Sequence, residues 1–409
     1  MSLPDQIEVR TTLGNGSEVL AGELYINRTG LSFQYAASYI NNPLSYELAP
    51  AIPLTLGVYP LQELGPFSDA APDRWGRKLL QRSLGRSRLS EIEYLLGVND
   101  LTRQGAYRFF LDGEPLSGSD GVPVLTDLPG LLNTADAVEE GVEVSETALR
   151  RLYRATGSLG GARPKASVRD GGNLWLAKFP KPLGDRWDVI GWEAVTLELA
   201  QKAGISVPQH RVLSIADEAG RKRTILLTQR FDRSSSEQSN QLQRIPYISA
   251  MTALDASDGQ GGDWLDFADF AASIGADTRQ LWLRAAFGSV IGNLDDHLRN
   301  HGFLRIGKSW QLAPAFDLNP EPYEGSKAEV HQLSLFGNPS PSLASFMQAE
   351  ALSLFQVTAD QAAQYLAQIR AALAQVTPLA HVHRLDAASQ EIMASRWQLA
   401  QEQIDSLMN

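Results

Sequence analysis

The chain has 409 residues, of which 43% are hydrophobic and 20% are charged, enough apolar sequence for a large core divided into two or three subdomains. Its net charge of −11 argues against direct, non-specific binding to nucleic acid, because proteins that bind a bare polyanion are usually basic. The lack of cysteine excludes disulfides and thiolate metal sites. The sequence contains no run of 18 apolar residues, so no membrane span is predicted. The N-terminus shows no secretory signal, so we expect a cytoplasmic protein.

The N-terminal part is predicted to be rich in β-strands up to about residue 60, because side-chain character alternates along 7–10, 19–25 and 31–35. A helix is predicted to begin around Pro72, with its cap before the proline, and a second helix and a further strand should follow before residue 111. Residues 112–146 are rich in Gly, Pro, Asp and Glu, which favours a surface connection containing a short helix.

A glycine-rich loop at 157–165 precedes a predicted strand at 166–169. Glycines allow successive backbone amides to converge on phosphate oxygens, and Arg163 or Lys165 could add positive charge. The loop is not a Walker loop, because no Gly-Lys-Ser/Thr follows it. An ordinary turn is the alternative interpretation.

Three further features suit nucleotide binding, each with an ordinary structural alternative. Lys178, in the apolar strand 174–180, is either a phosphate-binding lysine or an edge residue that extends to solvent. Glu193 lies in the first turns of the predicted helix 187–203, where the helix dipole favours a carboxylate in any case. The strand 224–233 either faces an adenine ring with its backbone, as a kinase hinge does, or simply leads into a loop.

The most informative motif is Asp295 and Asn300 at the D-x-x-x-x-N spacing, followed by Asp317. An Asp can accept the proton of an attacking hydroxyl, and an Asn oxygen and a second Asp suit Mg²⁺. The spacing alone is a weak signal, because it also fits a polar loop with an Asx turn. A buried helix predicted at 281–292 and a hairpin at 302–313 would carry Asp317 back beside Asn300, which favours a site.

The glycine loop, strand lysine, helix glutamate, hinge-like strand, D-x-x-x-x-N motif and aspartate follow the order of parts in protein-kinase-like folds. Over roughly residues 5–380 the chain also resembles the HipA-type serine/threonine kinases of bacterial toxin–antitoxin modules. The matching motifs are D-R-W-G-R at 73–77, G-A at 105–106, S-L-G-G-A-R-P-K at 158–165, L-A-K-F-P at 176–180, Q-R-F-D-R at 229–233, D-D-H-L-R-N at 295–300 and F-D at 316–317.

The resemblance implies an α/β, protein-kinase-like two-lobed fold. An N-terminal β-rich subdomain would span 1–145, a nucleotide-binding lobe 146–235 and a mainly helical C-terminal lobe 236–409. The resemblance also implies ATP and Mg²⁺ as cofactors and a HipB-like DNA-binding antitoxin as partner, with DNA bound only through that antitoxin. The implied substrate is a protein, such as an aminoacyl-tRNA synthetase.

By the same resemblance, Asp295 would be the catalytic base, and Asn300 and Asp317 would hold Mg²⁺. Ser158 would be autophosphorylated, which would eject the glycine loop and disable ATP binding. The chain departs from better-known members at Arg163-Pro164, where they carry Gln-Glu, and proline removes a backbone donor. The residues implied to form the ATP site are Gly160, Gly161, Ala162, Arg163, Lys165, Lys178, Gln229, Phe231 and His297, together with Glu193, which would pair with Lys178.

Three alternative functions remain open from the sequence. A small-molecule kinase of the aminoglycoside type usually carries His two residues before the catalytic Asp, where this chain has Asn293. A non-catalytic binding protein could use a degenerate kinase fold. A metal-dependent hydrolase built on Asp295, Asp296 and His297 would need further ligands, for which six His in the whole chain give little support.

Overall fold

The computed structural model of this chain describes residues 3–27, 30–118, 121–158, 161, 163–182, 185–216, 220–236, 239–325 and 328–408. Strands form much of the N-terminal part, and helices dominate after residue 249, so the predicted mixed α/β fold is confirmed. Within these residues, no helix is long and apolar enough to cross a bilayer.

The first sheet is antiparallel throughout and encloses an aromatic core. Its strands are β1 (Gln6–Thr12), β2 (Glu18–Asn27), β3 (Gly30–Tyr35), β4 (Val58–Leu61), β5 (Arg108–Leu111) and β6 (Glu114–Pro115), in the order β4–β3–β2–β1–β5–β6. The ring of Phe67 packs edge-on against those of Phe33, Tyr107 and Phe109, with centroids 5.2–5.9 Å apart. The β-strands predicted for this region are confirmed.

Among the described residues, five helices lie in the chain between β3 and the second sheet. They are α1 (Ala37–Ile40), α2 (Arg74–Leu84), α3 (Glu91–Gly97), α4 (Leu128–Glu139) and α5 (Glu146–Ala155), with 3₁₀ turns at Gly65–Ala70 and Leu125–Asp127. The helix cap predicted before Pro72 is wrong by a short shift: Asp73, directly after the proline, caps α2, since its side chain accepts a hydrogen bond from the Gly76 amide at 2.7 Å. The helix ends at Gly85, whose φ of +62° favours glycine.

The second sheet consists of β7 (Lys165–Asp170), β8 (Asn173–Lys178), β9 (His210–Ala216) and β10 (Lys222–Gln229), in the order β7–β8–β10–β9. Helix α6 (Val189–Lys202) lies on one face, where it packs with Leu226. Ile225 and Leu227 point to the other face and pack with residues of α2, α4 and α5. Because successive residues of a strand point to opposite faces of the sheet, the apolar side chains of β10 contribute to two hydrophobic cores.

The prediction of a surface connection at 112–146 is wrong for its second half. Helix α4 buries Leu128, Leu131, Leu132 and Val138 against the second sheet. The apolar residues of α4 recur at helical spacing, so the segment forms a core-facing helix despite its polar flanks.

The remaining elements form the C-terminal region. Its helix α9 is buried on almost all sides and ends at Gly292 (φ +67°), directly before the polar motif, as predicted. The predicted hairpin is confirmed and consists of β15 (Gly302–Ile306) and β16 (Ser309–Leu312). The domain boundaries predicted at 145 and 235 stay predictions. The strands are β11 (Arg233–Ser236), β12 (Ser239–Arg244), β13 (Tyr247–Ser249), β14 (Gly262–Asp263), β15 (Gly302–Ile306), β16 (Ser309–Leu312) and β17 (Leu333–Ser334). The helices are α7 (Ala250–Ala253), α8 (Trp264–Ser273), α9 (Thr278–Ile291), α10 (Leu343–Phe346), α11 (Ala349–Leu354), α12 (Ala359–Leu373), α13 (Val376–Val382) and α14 (Ala387–Met408), with a 3₁₀ turn at Leu298–Asn300.

Candidate active site

Two adjoining cavities lie between the second sheet and the helical C-terminal region. The larger is a polar cleft of about 1450 Å³, and the smaller is a pocket of about 790 Å³ with several apolar walls. Lys178, Arg299 and Asp317 line both cavities and therefore mark the junction between them.

Lys178 is held at this junction by two carboxylates. It is the last residue of β8, and its buried ammonium donates to Oε1 of Glu193 and to Oδ1 of Asp317, each at 2.6 Å. Glu193 is fully buried in α6. The strand lysine and the helix glutamate therefore meet, as the resemblance implied.

The three charges shift one another's pKa. Burial alone would lower the pKa of Lys178, but Asp317 and Glu193 together raise it well above its usual range. Burial alone would raise the pKa of Asp317, yet the attraction of Lys178 lowers it well below its usual range. For Glu193 burial outweighs Lys178, so that its pKa is raised. Lys178 and the two carboxylates therefore form one buried group of three interacting charges.

Asp295 lies on an exposed part of the cleft wall, between α9 and the 3₁₀ turn. The Asn300 side-chain amide donates to the Asp295 backbone carbonyl at 3.2 Å, which ties the two ends of the motif together and leaves the Asn300 side-chain oxygen for another ligand. Partial burial raises the pKa of the Asp295 carboxyl, and Asp317 adds to this rise, while His297 opposes it. The net rise makes Asp295 a better proton acceptor.

Asp317 and Asn319 offer oxygen atoms that suit a hard cation. Asp317 Oδ1 accepts hydrogen bonds from Lys178 and, at 2.9 Å, from the Asn319 side-chain amide. Among the residues that the structure describes, Asn319 Oδ1 is buried and has no hydrogen-bond partner. An unsatisfied buried oxygen beside a carboxylate fits Mg²⁺, which prefers such ligands.

A metal ion at this place would also need oxygens from outside the acidic side chains. Nowhere in the described part of the chain do three or more His, Cys, Asp or Glu side chains form a metal-binding group. Amide oxygens and the phosphates of a nucleotide would therefore complete the shell, as is usual for Mg²⁺.

The smaller pocket has apolar and aromatic lining residues of the kind expected around a purine ring. Leu176 and Leu197 form one side of it, and the rings of Phe231 and Phe316, with centroids 5.5 Å apart, form another. The Gln229 backbone amide already donates to the Gln209 carbonyl at 2.7 Å. Any contact of Gln229 with a base must therefore come from its carbonyl or its side chain.

The glycine loop borders both cavities. Ser158 is buried, lines the smaller pocket and accepts a hydrogen bond from the Gln104 backbone amide at 2.7 Å. Gly161 has a φ of +113°, and a Cβ placed there would lie 2.8 Å from Lys165 Nζ, so a larger residue would displace this lysine. Gly160 and Ala162 lie outside the described residues.

The two predicted phosphate-binding cations of this segment already have carboxylate partners. Arg163 forms a two-pronged ion pair with Asp185 at 2.7 and 3.0 Å. Lys165 donates to Asp73 Oδ2 at 2.8 Å, and both side chains are buried. Both cations line the cleft, but neither adds an uncompensated charge to it.

The N-terminal region supplies further residues to these walls. Asp69 lines the smaller pocket and accepts hydrogen bonds from the Ser249 amide and hydroxyl, both at 2.7 Å. Asp73 and Arg74 line the cleft. Residues of the N-terminal region therefore form part of the walls of both cavities.

A buried cluster of charges attaches the N-terminal region to the hinge-like segment. Asp232 accepts hydrogen bonds from Arg230, Arg233 and, at 2.8 Å, the Gly105 amide. Both arginines also donate to backbone carbonyls within 101–105. Although burial alone would raise the pKa of the Asp232 carboxyl, the two arginines lower it well below its usual range.

Two family models match the chain. One, described as the HipA-like C-terminal domain, matches residues 157–377, and the other, described as the HipA N-terminal domain, matches residues 16–101. The first match alone spans more than half of the chain. The chain belongs to the HipA family. The resemblance in the sequence motifs is thereby confirmed.

Solved structures extend the HipA similarity to the fold. HipA of Shewanella oneidensis MR-1, from a structure of the toxin–antitoxin system HipA, HipB and its operator DNA, matches with a TM-score of 0.71 and 17% identity over 98% of this chain and 97% of that chain. The Helicobacter pylori proinflammatory kinase CtkA matches 61% of this chain and 94% of its own with 16% identity, but its TM-score of 0.41 is too low to indicate a shared fold. No curated protein matches in a sequence search.

In this HipA-family chain, the fold brings most of the predicted site residues to the two cavities. Asn300 is buried and is not among the lining residues of either cavity. Its side-chain amide donates a hydrogen bond to the Asp295 backbone carbonyl. Sequence reasoning missed Asp69, Asp73, Arg74, Asn319 and Arg299 as site residues. Two of the motifs shared with HipA-type kinases gave a signal: D-R-W-G-R at 73–77 contains Asp73 and Arg74, and D-D-H-L-R-N at 295–300 contains Arg299. The predicted residues on the cavity walls are Ser158, Gly161, Arg163, Lys165, Lys178, Glu193, Gln229, Phe231, Asp295, His297 and Asp317.

Proposed function

We propose that this protein is an ATP-dependent serine/threonine protein kinase and the toxin of a bacterial toxin–antitoxin module. The observation that carries the proposal is the bridge from Lys178 to Glu193 and Asp317 in the same cleft as Asp295. Phosphoryl transfer requires a phosphate-binding cation, carboxylate and amide ligands for a metal, and a base for the acceptor hydroxyl. The cleft holds each of these groups.

In the proposed reaction, Asp295 accepts the proton of the acceptor hydroxyl as the hydroxyl oxygen attacks the terminal phosphorus. Its raised pKa and its exposed position both suit this role. Lys178 orients the phosphates with its ammonium, which Glu193 keeps in place. Mg²⁺, held by Asp317 with the oxygens of Asn300 and Asn319, supplies charge neutralisation on the phosphates when bound.

We place the adenine in the smaller pocket, between Leu176, Leu197 and the rings of Phe231 and Phe316. Its apolar walls support the burial of a flat aromatic ring, and Thr228 and Gln229 at the end of β10 line the pocket, where a carbonyl or side chain would bond the edge of the base. The triphosphate then extends past Lys178 into the polar cleft.

We also propose that Ser158 is a site of autophosphorylation. In the structure its hydroxyl is buried against Gln104, and a phosphate with about −1.5 to −2 charges has no room in that contact. Modification would therefore force the glycine loop out of the cleft. Because the loop must leave its own cleft to be modified, the transfer would take place between two molecules.

A HipB-like DNA-binding antitoxin is the proposed partner, and contact with DNA is proposed to occur only through it. Support comes from the similarity to HipA of Shewanella oneidensis, which was solved with HipB and operator DNA. The proposed substrate is a cytoplasmic protein, such as an aminoacyl-tRNA synthetase. The net charge of −11 suits a basic protein partner better than direct contact with nucleic acid.

The proposal is tested by incubating the protein with γ-labelled ATP and Mg²⁺, alone and with purified aminoacyl-tRNA synthetases. We expect label on serine of the kinase itself and on one of the added proteins, and no label with the Asp295→Asn variant. Label on a small molecule such as an aminoglycoside, with none on protein, would favour a small-molecule kinase. Failure to bind ATP at all would favour a binding protein without kinase activity.

A further inference from the structure

Arg74 is a cleft residue with no assigned role. It is the first residue of α2, it is exposed, and it lines the polar cleft together with Lys178, Asp295 and Asp317. Within the described part of the chain, its guanidinium has no hydrogen-bond or ion-pair partner. It is close enough to Asp295 to oppose the rise in the pKa of that carboxyl.

The other cations of the glycine loop and β8 that line the cleft are already neutralised. Arg163 pairs with Asp185, Lys165 with Asp73, and Lys178 with Glu193 and Asp317. A triphosphate carries several negative charges, so these pairs alone leave it without a matching excess of positive charge. Arg74 supplies a positive charge that no carboxylate binds directly, and Lys181 and Arg299 are further cations on the cleft wall.

The position of Arg74 is set by its neighbour in the chain. Asp73 caps α2 through one carboxylate oxygen, and its other oxygen accepts a hydrogen bond from the Lys165 ammonium. Arg77, one turn further on, is fixed by the Pro72 carbonyl and by a two-pronged pair with Glu91. These contacts fix the start of α2 against its surroundings and place Arg74 on the cleft wall.

We propose that Arg74 binds the terminal phosphate of the nucleoside triphosphate, so that the N-terminal region completes the phosphate site. This proposal rests on the proposed kinase function. A guanidinium presents paired N–H donors that match two phosphate oxygens, and such charge-assisted bonds are stronger than neutral ones. A nucleoside diphosphate, which lacks the terminal phosphate, would not reach Arg74.

The test compares binding of a non-hydrolysable ATP analogue, ADP and adenosine by calorimetry in the presence of Mg²⁺. For Arg74→Ala we expect affinity for the triphosphate analogue to fall about tenfold, with affinity for ADP and adenosine unchanged within about twofold. Arg74→Lys should recover part of the loss. Lys78→Ala removes a positive charge from the same helix, where it pairs with Glu139 away from the cleft, and should bind like the wild type.

The possible outcomes separate this inference from the proposed function. If the wild type binds none of the three ligands, the kinase proposal and this inference fail together. If the wild type binds the triphosphate analogue and Arg74→Ala binds it equally well, only the role of Arg74 is wrong. Equal losses for all three ligands, or equal losses for the triphosphate analogue and ADP, would likewise overturn the assignment to the terminal phosphate.

Discussion

Lys178 and Asp317 are separated by 139 residues in the chain, yet the ammonium of one lies 2.6 Å from a carboxylate oxygen of the other. The same oxygen accepts the Asn319 amide. One oxygen of Asp317 is therefore occupied in the absence of ligand, and the charge of the carboxylate is already compensated.

Because of this compensation, we predict weak Mg²⁺ binding to the protein alone and much tighter binding with nucleotide present. The phosphates of a nucleotide supply the missing oxygen ligands and draw the Lys178 ammonium towards themselves. Calorimetric titration of Mg²⁺ with and without a non-hydrolysable ATP analogue checks this. Asn319→Ala should weaken Mg²⁺ binding only in the nucleotide complex. Strong Mg²⁺ binding to the protein alone would instead indicate a dedicated metal site.

We predict that Asp295→Asn lowers phosphoryl transfer by about 10² to 10⁴-fold, because the amide cannot accept the hydroxyl proton. The side chain is exposed and similar in size, so nucleotide affinity and the melting temperature should stay close to those of the wild type. Transfer of labelled phosphate, calorimetry and thermal unfolding measure the three quantities. Activity within a few fold of the wild type would exclude Asp295 as the base.

For Ser158→Ala, we predict that transfer to an external protein continues while self-inactivation is lost. The Gln104 amide would lose its acceptor, at a cost in stability of about 1–3 kcal/mol. Mass spectrometry after incubation with ATP, together with a time course of activity, tests the switch, and Asp295→Asn serves as the inactive control. The rate of modification should rise with protein concentration. An unmodified Ser158 in active protein would contradict the prediction.

We predict that Asp232→Asn destabilises the protein by about 3–5 kcal/mol at pH 7, since Arg230 and Arg233 would lose a buried counter-charge. The folded-state pKa of Asp232 is lowered, so its stabilising contribution is present above the unfolded-state value of about 3.9 and decreases as the pH falls further. The difference in free energy of unfolding between wild type and variant should therefore narrow below about pH 4. Urea unfolding at pH 7 and pH 3.5 measures it, and a difference that does not change with pH would contradict the assignment.

The sequence by itself determined the local elements and the order of the chemical groups. The alternation in the first strands, the apolar helix ending at Gly292 and the hairpin after Asn300 were all predicted and are confirmed. Four site residues could be proposed from the sequence because each stands in or beside a recognisable helix, strand or motif: Asp295, Lys178, Glu193 and Asp317. Such patterns depend on neighbouring residues, so they are visible without the fold.

Only the tertiary structure decided which charges meet. Asp73 and Lys165 are 92 residues apart, and Asp232 and the Gly105 amide are 127 residues apart, so no local pattern pairs them. The same contacts reveal that the N-terminal region forms part of the cleft wall and that Arg163 and Lys165 are neutralised while Arg74 is not. The physical reason is that a buried charge must find a partner. Which partner it finds depends on how distant segments pack.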